Sequence, residues 1–177
     1  SVVGASFVEI DPVELVNGQI AKLADFDGDD VLDLVVSSPY ADNVAIALGD
    51  GAGGFFSPTT IAIDNPLDFA VGDLNGDGRP DIVTGNNSDP DLSILLNQGG
   101  GNFSAPASIT LAAAPLVRDV TVVDVTGDTI SDLVLAADNT HQVVVLPGNN
   151  DGTFGEALTT DVADAWQAEV GDINGDG

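Results

Sequence analysis

The stretch of residues 73–81 carries oxygen-bearing side chains at its first, third, fifth and ninth positions: Asp73, Asn75, Asp77 and Asp81. A glycine stands at the fourth position. In a strand, side chains at odd positions would crowd their charges onto one face. A tight loop instead turns alternate residues inward, and hard oxygen ligands in such a loop are what Ca²⁺ takes in proteins. The stretch therefore predicts a calcium loop.

The same pattern occurs four times along the chain. The loops begin at Asp25, Asp73, Asp124 and Asp172, which lie 48, 51 and 48 residues apart. The first three loops reach an aspartate at the ninth position, whereas the printed sequence ends within the fourth loop. A fixed period near 50 residues is typical of propellers and other repeat architectures. The spacing therefore predicts an array of similar units.

The charge balance narrows the choice of partners. The 177 residues include 29 acidic and 3 basic ones, which gives a formal net charge of -26. Nucleic acid is excluded as a partner because phosphate binding needs Lys and Arg, and an anionic membrane surface is disfavoured for the same reason. Thirteen of the acidic residues lie in the four loops. Self-repulsion of this kind destabilises a compact chain unless cations neutralise it, so the distribution of charge favours metal binding.

The chain contains no cysteine, so it has neither a disulfide scaffold nor a thiolate metal site. Calcium loops of modest affinity suit the millimolar calcium outside cells, and no membrane-spanning run or signal peptide is present. We therefore expect an extracellular protein, secreted or at the cell surface, without membrane insertion. Because the chain begins at Ser1, has no Met and ends inside a loop, we expect it to be a segment of something longer.

A phenylalanine precedes each loop at a nearly constant distance. Phe7, Phe55, Phe103 and Phe154 stand 18, 18, 21 and 18 residues before the loop starts. The last three follow glycine-rich turns, which supply positive φ angles and suit hairpins. The phenylalanines divide a single domain, residues 1–177, into repeats at approximately 7–54, 55–102, 103–153 and 154–177, the last incomplete.

Each complete repeat contains four short apolar segments bounded by Asn, Asp, Gly and Pro, a pattern that favours strands. Segments that leave the loops, such as 34–36 and 133–135, are continuously apolar, which indicates burial on both sheet faces. Residues 158–168 come closest to a helical period, but they align with strand positions in the other repeats. Four strands per repeat predict an all-β propeller of four-stranded blades. A β-solenoid is the competing architecture, and its repeats are usually shorter.

The glycine–phenylalanine turns and the loop Asp-x-Asp/Asn-Gly-Asp-x-x-x-Asp resemble the FG-GAP repeats of integrin α-chain propellers and the related VCBS-type repeats of secreted bacterial proteins. Residues 33–39 are similar to the family's third element, Val-Gly-Ala-Pro, with Ser37 and Ser38 in place of Gly-Ala. The later repeats depart further there. The resemblance covers nearly the whole chain. It implies a seven-bladed propeller, of which this chain carries about half, with calcium held between two strands of one blade.

The resemblance also implies the calcium ligands. They are the side chains at the first, third, fifth and ninth loop positions and the backbone carbonyl at the seventh. Carried over, the ligands are Asp25, Asp27, Asp29, Val31 and Asp33; Asp73, Asn75, Asp77, Arg79 and Asp81; Asp124, Thr126, Asp128, Ile130 and Asp132; and Asp172, Asn174 and Asp176. Thr126 offers only a hydroxyl, so we expect the third site to bind more weakly than the first. We expect the fourth to be empty or incomplete.

Three other interpretations of the loops are an EF-hand, a magnesium site and plain turns. An EF-hand needs an acidic residue at position twelve and flanking helices, but that position holds Val36, Thr84 or Leu135. Magnesium is possible, although it prefers strict octahedral geometry with several waters. The Asp-Gly clusters could also be plain turns, against which four copies in phase argue.

The pattern favours a binding or adhesion module in which calcium is structural. An extracellular repeat scaffold, with chains associating across open blades, is one alternative, and a propeller belonging to a polysaccharide-active enzyme is another. We do not expect an enzyme, because His141 is the only histidine and any Ser-His-Asp triad would have to use it. Paired carboxylates for glycoside hydrolysis stay open.

A protein or carbohydrate ligand is expected on one propeller face. Residues 37–43, 85–91 and 137–141 stand at equivalent points of the three repeats and should cluster on that face. Trp166 could stack on a sugar there or pack between blades, and Tyr40 is the only tyrosine.

Overall fold

The computed structural model describes residues 18–88, 91–112, 116–163 and 165–171. The described residues form short strands and one 3₁₀ turn, Pro39–Ala41. The strands are β1 (Ile20–Ala24), β2 (Asp33–Ser38), β3 (Asn43–Ala47), β4 (Thr59–Ala62), β5 (Pro66–Gly72), β6 (Asp81–Asn86), β7 (Leu92–Leu95), β8 (Asn97–Gly99), β9 (Asn102–Phe103), β10 (Ala107–Ile109), β11 (Val117–Val123), β12 (Asp132–Ala137), β13 (Gln142–Leu146) and β14 (Leu158–Asp161).

The strands form three four-stranded antiparallel sheets, which are the blades of a partial propeller. The first blade contains β1, β2, β3 and β4, the second β5, β6, β7 and β10, and the third β11, β12, β13 and β14, each in that spatial order. Strands β8 and β9 pair with each other as a small hairpin where the second repeat meets the third. The prediction of an all-β fold with four-stranded blades is therefore confirmed.

The second and third strands of each blade are more buried than its fourth, outer strand. All six residues of β6 and of β12 are buried, and for β12 the apolar segment 133–135 indicated this burial. The outer strand β14 is exposed along its whole length, and β4 nearly so. Residues 158–161 thus form an edge strand and not a helix.

Two apolar cores lie between neighbouring blades, and fully burying each large side chain contributes about 1.5–3 kcal/mol. The first core joins Phe26, Val35, Val44, Ile46 and Ile63 of the first blade to Phe69, Ile82 and Leu95 of the second. The second core joins Ala70, Leu74, Val83, Leu92 and Ile94 to Val117, Val120, Leu133, Leu135, Ala137, Val144 and Leu146 of the third blade.

Glycines allow the second and third blades to approach closely. A Cβ atom on Gly72, the residue just before the second loop, would lie 2.6 Å from Val122 Cγ1. A Cβ atom on Gly85 would lie 2.7 Å from Val117 Cγ1. Gly72 and Gly85 therefore serve the close packing of these two blades.

The strand register gives each blade two distinct ends. At one end, which we call the loop end, Ala24 pairs with Asp33 across the first Asp loop, and Gly49 bridges to Phe55 across the glycine turn. At the opposite end, the turn end, Ile20 pairs with Ser37. The other two blades repeat this arrangement. All the described Asp loops therefore lie at the loop end, and the connections from β2 to β3, β6 to β7 and β12 to β13 lie at the turn end.

The blades are offset from the sequence repeats. The outer strand β4 follows Phe55 and so belongs by sequence to the second repeat, yet it completes the first sheet. Phe7 and the fourth loop, residues 172–177, lie outside the described residues. Residues 168–171, which stand before the fourth loop as β5 and β11 stand before the second and third, take part in no described ladder.

Candidate functional site

The first aspartate of each loop organises the loop backbone. Asp25 Oδ1 accepts a hydrogen bond of 2.7 Å from the Gly28 amide, and Oδ2 accepts one of 2.9 Å from the Asp30 amide. These donors, with Asp30 the stronger, hold the pKa of Asp25 below its ordinary value. The second and third loops repeat the two bonds, from Gly76 and Gly78 (both 2.8 Å) to Asp73, and from Gly127 (2.7 Å) and Thr129 (2.8 Å) to Asp124.

The loops share a left-handed backbone at two positions. The fourth residue is always a glycine with positive φ, for example 85° at Gly28. The sixth residue also has positive φ but differs in type: Asp30 (67°), Gly78 (80°) and Thr129 (70°). Aspartate adopts this region more readily than a β-branched residue does, so Thr129 is the strained member of the three.

The ninth aspartate is a buried clamp. Asp33 is 1% exposed, and its Oδ1 accepts a 2.8 Å hydrogen bond from the Gly49 amide. Its Oδ2 accepts a 2.7 Å bond from the Phe26 amide within the loop. The same pair of bonds joins Asp81 to Asn97 (2.7 Å) and Leu74 (2.9 Å), and Asp132 to Gly148 and Val125 (both 2.9 Å). The ninth residue therefore ties the Asp loop to the glycine turn of its own blade.

Sequence reasoning proposed the ninth aspartate as a metal ligand and missed this clamp. A signal was present, because the partner at the start of the glycine turn stands 16 residues after the aspartate in all three repeats. A carboxylate has about four lone-pair sites, so the backbone bonds leave room for a cation contact.

The first loop gathers the most negative charge. Oxygen atoms of Asp25, Asp27 and Asp29 lie within 4.8 Å of one another. Loss of solvent raises the pKa of Asp27, and the charges of Asp29, Asp33 and Asp25 raise it further. Carboxylates in this arrangement repel one another and supply the oxygen ligands that a hard cation takes. This cluster could hold a metal ion.

The second loop contains a cation of its own. The Arg79 guanidinium forms an ion pair of 2.5 Å with Asp77 Oδ2, and the Asn75 side-chain amide donates to the same oxygen at 2.9 Å. Arg79 Nε also donates to the carbonyl of Asn97 at 2.9 Å. Loss of solvent would raise the pKa of Asp77, but the Arg79 amide, the Asn75 amide and the guanidinium charge together hold it below its ordinary value.

The resemblance implies that the seventh residue of each loop offers its backbone carbonyl to the cation. In the structure, the backbone amide of this residue donates a hydrogen bond within the loop. Val31, Arg79 and Ile130 donate to the fifth-position aspartates Asp29, Asp77 and Asp128 at 2.8, 3.0 and 2.9 Å. In the third loop, the Thr126 amide donates to Asp132 Oδ2 at 3.0 Å. The fourth-loop residues Asp172, Asn174 and Asp176 lie outside the described residues.

The residues expected on a ligand face lie at the turn end. Residues 37–43, 85–88 and 137–141 form or adjoin the turn-end connections, whereas Asp89 and Pro90 lie outside the described residues. Trp166 and Tyr40 are both exposed, at 62% and 78%. Within the part of the chain that the structure describes, no helix is long and apolar enough to span a membrane.

The geometry of three equivalent Asp loops agrees with a comparison of the sequence with protein-family models. The FG-GAP-like repeat model matches residues 25–84, 73–135 and 124–177. The chain belongs to the FG-GAP-like repeat family. Each match of this family begins at the first aspartate of a loop, so the family's repeat is marked by the loop that organises each blade. No curated protein is a significant match to the chain.

Two solved structures are similar to this FG-GAP-like chain. The first is a lectin from Agrocybe aegerita, described for its specific recognition of non-reducing terminal N-acetylglucosamine. The chain is 28% identical to it with a TM-score of 0.57, and the match covers 77% of this chain and 36% of the lectin chain. The second is the Tc holotoxin pore of Photorhabdus luminescens, with 20% identity and a TM-score of 0.51, covering 81% of this chain and 7% of that chain. The second likeness concerns the fold alone. The chain spans about a third of the lectin chain's length.

Proposed function

We propose that this chain is an extracellular, calcium-stabilised propeller module that binds carbohydrate, as a receptor or adhesion surface. The observation that carries the proposal is the 28% identity to a lectin over 77% of this chain, together with membership of the FG-GAP-like repeat family. The role is binding, and we propose no catalytic step. Calcium loops of modest affinity suit the extracellular calcium concentration, which supports an extracellular location.

Calcium would bind first in the first loop. Asp25, Asp27, Asp29 and Asp33 supply four carboxylates there, and the Val31 carbonyl lies in the same loop. Ca²⁺ takes 6–8 oxygen ligands in flexible geometry, so a set dominated by carboxylates with water completing it fits this ion. Bound calcium would supply positive charge that offsets the repulsion between the carboxylates. The second loop, already neutralised in part by Arg79, and the third, with a hydroxyl at Thr126, would bind more weakly.

The role of calcium would be structural, because each loop connects the inner strand of a blade to the strand beside it. The loop also contacts the next blade. The Gly101 amide donates to the carbonyl of Phe26 at 3.3 Å, and the Gly152 amide donates to that of Leu74 at 3.0 Å. The ring centroids of Phe26 and Phe103 lie 5.4 Å apart in an edge-to-face contact. An ordered loop therefore supports both its own blade and the contact between blades.

A glycan array tests the proposal. The purified 177-residue chain, in 2 mM calcium (a working concentration on the order of extracellular calcium), is applied to immobilised neutral and acidic glycans, including terminal N-acetylglucosamine. We expect saturable binding to at least one class of terminal sugar, reversed by the same sugar in free form. A folded, calcium-loaded chain that binds no glycan on the array would contradict carbohydrate binding.

A further inference from the structure

Two of the three basic residues of this chain meet in one pocket at the turn end. The pocket has a volume of about 470 Å³, and its lining includes Lys22, Asp68, Arg118, Asp119 and Trp166. These residues come from the turn-end halves of inner strands β1, β5 and β11 and from the segment after β14. In a chain with 3 basic and 29 acidic residues, this pairing of cations is a local feature that the overall charge does not explain. We call this cavity the Trp166 pocket.

The aromatic ring in the Trp166 pocket is held but accessible. The Arg118 guanidinium carbon lies 5.1 Å from the centroid of the Trp166 ring. Arg118 Nε in turn donates to Asp138 Oδ2 at 3.1 Å, which anchors the guanidinium to the turn between β12 and β13. The indole nevertheless remains 62% exposed. An exposed indole supported from one side is a rigid surface against which a ligand can pack.

Backbone irregularities direct polar side chains into the same pocket. Strand β11 shifts register between Val117 and Asp119, which leaves Arg118 as the extra residue. Strand β5 has the equivalent shift just before Asp68. Bulges of this kind re-aim side chains and are over-represented next to functional sites.

The two aspartates of the pocket are fixed by the neighbouring inner segment. Asp68 Oδ2 accepts a 2.9 Å hydrogen bond from the Val120 amide, and Asp119 Oδ2 accepts one of 3.0 Å from the Ala168 amide. With about four lone-pair sites each, both carboxylates keep acceptor capacity for a ligand.

We infer that the Trp166 pocket binds one ring of a neutral, hydroxyl-rich saccharide. This inference rests on the proposed carbohydrate-binding function and deepens it. The Lys22 ammonium donates to the carbonyl of Phe69, and its other two N–H donors can bond to a ligand. A hydroxyl group both donates and accepts, so a sugar can accept from Lys22 and Arg118 and donate to Asp119 and Glu169 at once. The apolar C–H face of the ring can pack against Trp166.

Charge selects against ionic ligands. An anionic sugar would approach three carboxylates, those of Asp68, Asp119 and Glu169, within a chain of net charge -26. The field of such a chain repels anions. A cationic ligand would instead meet Lys22 and Arg118 in the pocket. The neutral sugar is the class that meets neither penalty.

The Trp166 pocket is separated from the calcium loops. The five residue-to-residue steps from Asp119 to Asp124 run along β11 toward the loop end, and at roughly 3.3 Å per step they span about 17 Å. A sugar ring in the pocket would therefore not contact a cation in the loops. Calcium would affect sugar binding through the folding of the blades and not as a bridging ligand.

Trp166 is the only tryptophan in the chain, so its fluorescence reports on this pocket without labelling. The full 177-residue chain in calcium is titrated with methyl β-N-acetylglucosaminide, methyl β-galactoside and methyl α-mannoside, and with glucuronic acid as the anionic comparator. We expect a saturable change in tryptophan emission with at least one neutral sugar. We expect glucuronic acid to bind at least tenfold more weakly.

Variants test whether the sugar binds in the Trp166 pocket or elsewhere on the chain. Because Trp166→Ala removes the reporter, its affinity is measured by saturation-transfer NMR with the neutral sugar that binds best on the glycan array. Phe56→Ala is the matched control, since Phe56 is 60% exposed and lies beside the glycine turn at the loop end. We expect Trp166→Ala and Arg118→Gln to weaken binding at least tenfold, and Phe56→Ala to leave it unchanged, with thermal melts confirming that each variant is folded.

The outcomes can be told apart. If the wild-type chain binds sugar and folded Trp166→Ala binds it equally well, the Trp166 pocket is wrong and the proposed function stands. The same conclusion follows if sugar binding leaves the emission of Trp166 unchanged. If the wild-type chain binds no sugar in any assay, the proposed function fails and the pocket assignment fails with it.

Discussion

Asp33 Oδ1 accepts a hydrogen bond from the amide of Gly49, sixteen residues further along the chain, at 2.8 Å. The glycine is needed at that point, because a Cβ atom on Gly49 would lie 2.5 Å from the carbonyl oxygen of Leu32. The third blade has the same pair in Asp132 and Gly148. In the second blade Asn97 takes this position, and its side-chain amide donates to the carbonyl of Pro80 at 3.1 Å.

Asp33→Ala should lower the free energy of unfolding by about 2–6 kcal/mol, because two buried amides lose their acceptor and each costs about 1–3 kcal/mol. The measurement is urea unfolding in EGTA, which isolates the clamp from any role in metal binding. Asp29→Ala, at an exposed position of the same loop, is the control and should change the value much less. A loss of stability that occurs only in calcium would show that Asp33 acts as a ligand and not as a clamp.

Calcium removal by EGTA should lower the melting temperature by several degrees, because an ion that binds only the folded state adds stability that rises with its concentration. An unchanged melting curve after confirmed removal of the metal would contradict structural calcium. Asp27→Asn tests whether repulsion between the loop carboxylates is the reason for the effect of calcium. Removing the charge from the most crowded carboxylate should raise the melting temperature in EGTA and reduce the gain that calcium provides.

Arg79→Gln should increase the affinity of the second loop for calcium. The guanidinium of Arg79 pairs with Asp77, so a bound cation has to displace it or share the carboxylate with it. Isothermal titration calorimetry should show tighter binding at one site, while the stability in EGTA falls by about 0–1 kcal/mol, as for other exposed ion pairs. Arg118→Gln, at the turn end, serves as the control with the same change of charge. Equal calcium affinity in all three proteins would rule out competition by Arg79.

Thr129→Gly should raise the free energy of unfolding by about 1 kcal/mol. Thr129 has φ of 70°, where a β-branched residue is strained by about 1–3 kcal/mol, and this outweighs the entropic cost of about 0.5–1 kcal/mol for glycine. Asp30→Gly changes the equivalent position of the first loop. It should raise the free energy of unfolding by a smaller amount, since aspartate tolerates this conformation better than threonine does. Thermal or urea unfolding of the two variants measures these changes. A Thr129→Gly variant that is less stable than the wild type would contradict backbone strain at Thr129.

The stability difference between Asp68→Asn and the wild type should depend on pH. Burial raises the pKa of Asp68, and this effect exceeds the opposing influence of the Val120 and Phe69 amides and of Lys22. The folded state therefore binds the proton more readily than the unfolded state, and the stability that protonation provides is lost as the pH rises through the folded-state pKa.

Asparagine keeps an acceptor for the Val120 amide without the buried charge. We therefore expect Asp68→Asn to be more stable than the wild type at pH 7, with the advantage shrinking as the pH falls and the wild-type carboxyl becomes neutral. Chemical unfolding between pH 4 and pH 7 measures this, because the range runs upward from the ordinary aspartate pKa of about 4 and the pKa of Asp68 is raised. Asp119→Asn, at the equivalent and less buried position, is the control. An advantage that stays constant over this range would exclude titration of Asp68 as its cause.

The repeat and its strands could be predicted from the sequence because their causes are local. The bonds from Asp25 to Gly28 and Asp30 close within five residues, and glycine at the fourth position allows the positive φ that they require. Short, continuously apolar segments bounded by turn residues, such as 133–137 of β12, indicate strands buried on both faces. Four copies in phase then indicate stacked blades. The calcium ligands Asp25 to Asp33 and their counterparts remain predictions.

Other features were decided by tertiary structure, because they join residues whose distance in sequence carries no pattern. The resemblance predicts the Arg79 carbonyl as a calcium ligand, but only the folded second blade brings the Arg79 guanidinium to the carbonyl of Asn97, 18 residues further along the chain. Lys22, Arg118 and Trp166 stand far apart along the chain and in different repeats. They meet because blade packing brings the inner segments together at the turn end, and non-local packing of that kind leaves no periodic signal in the sequence.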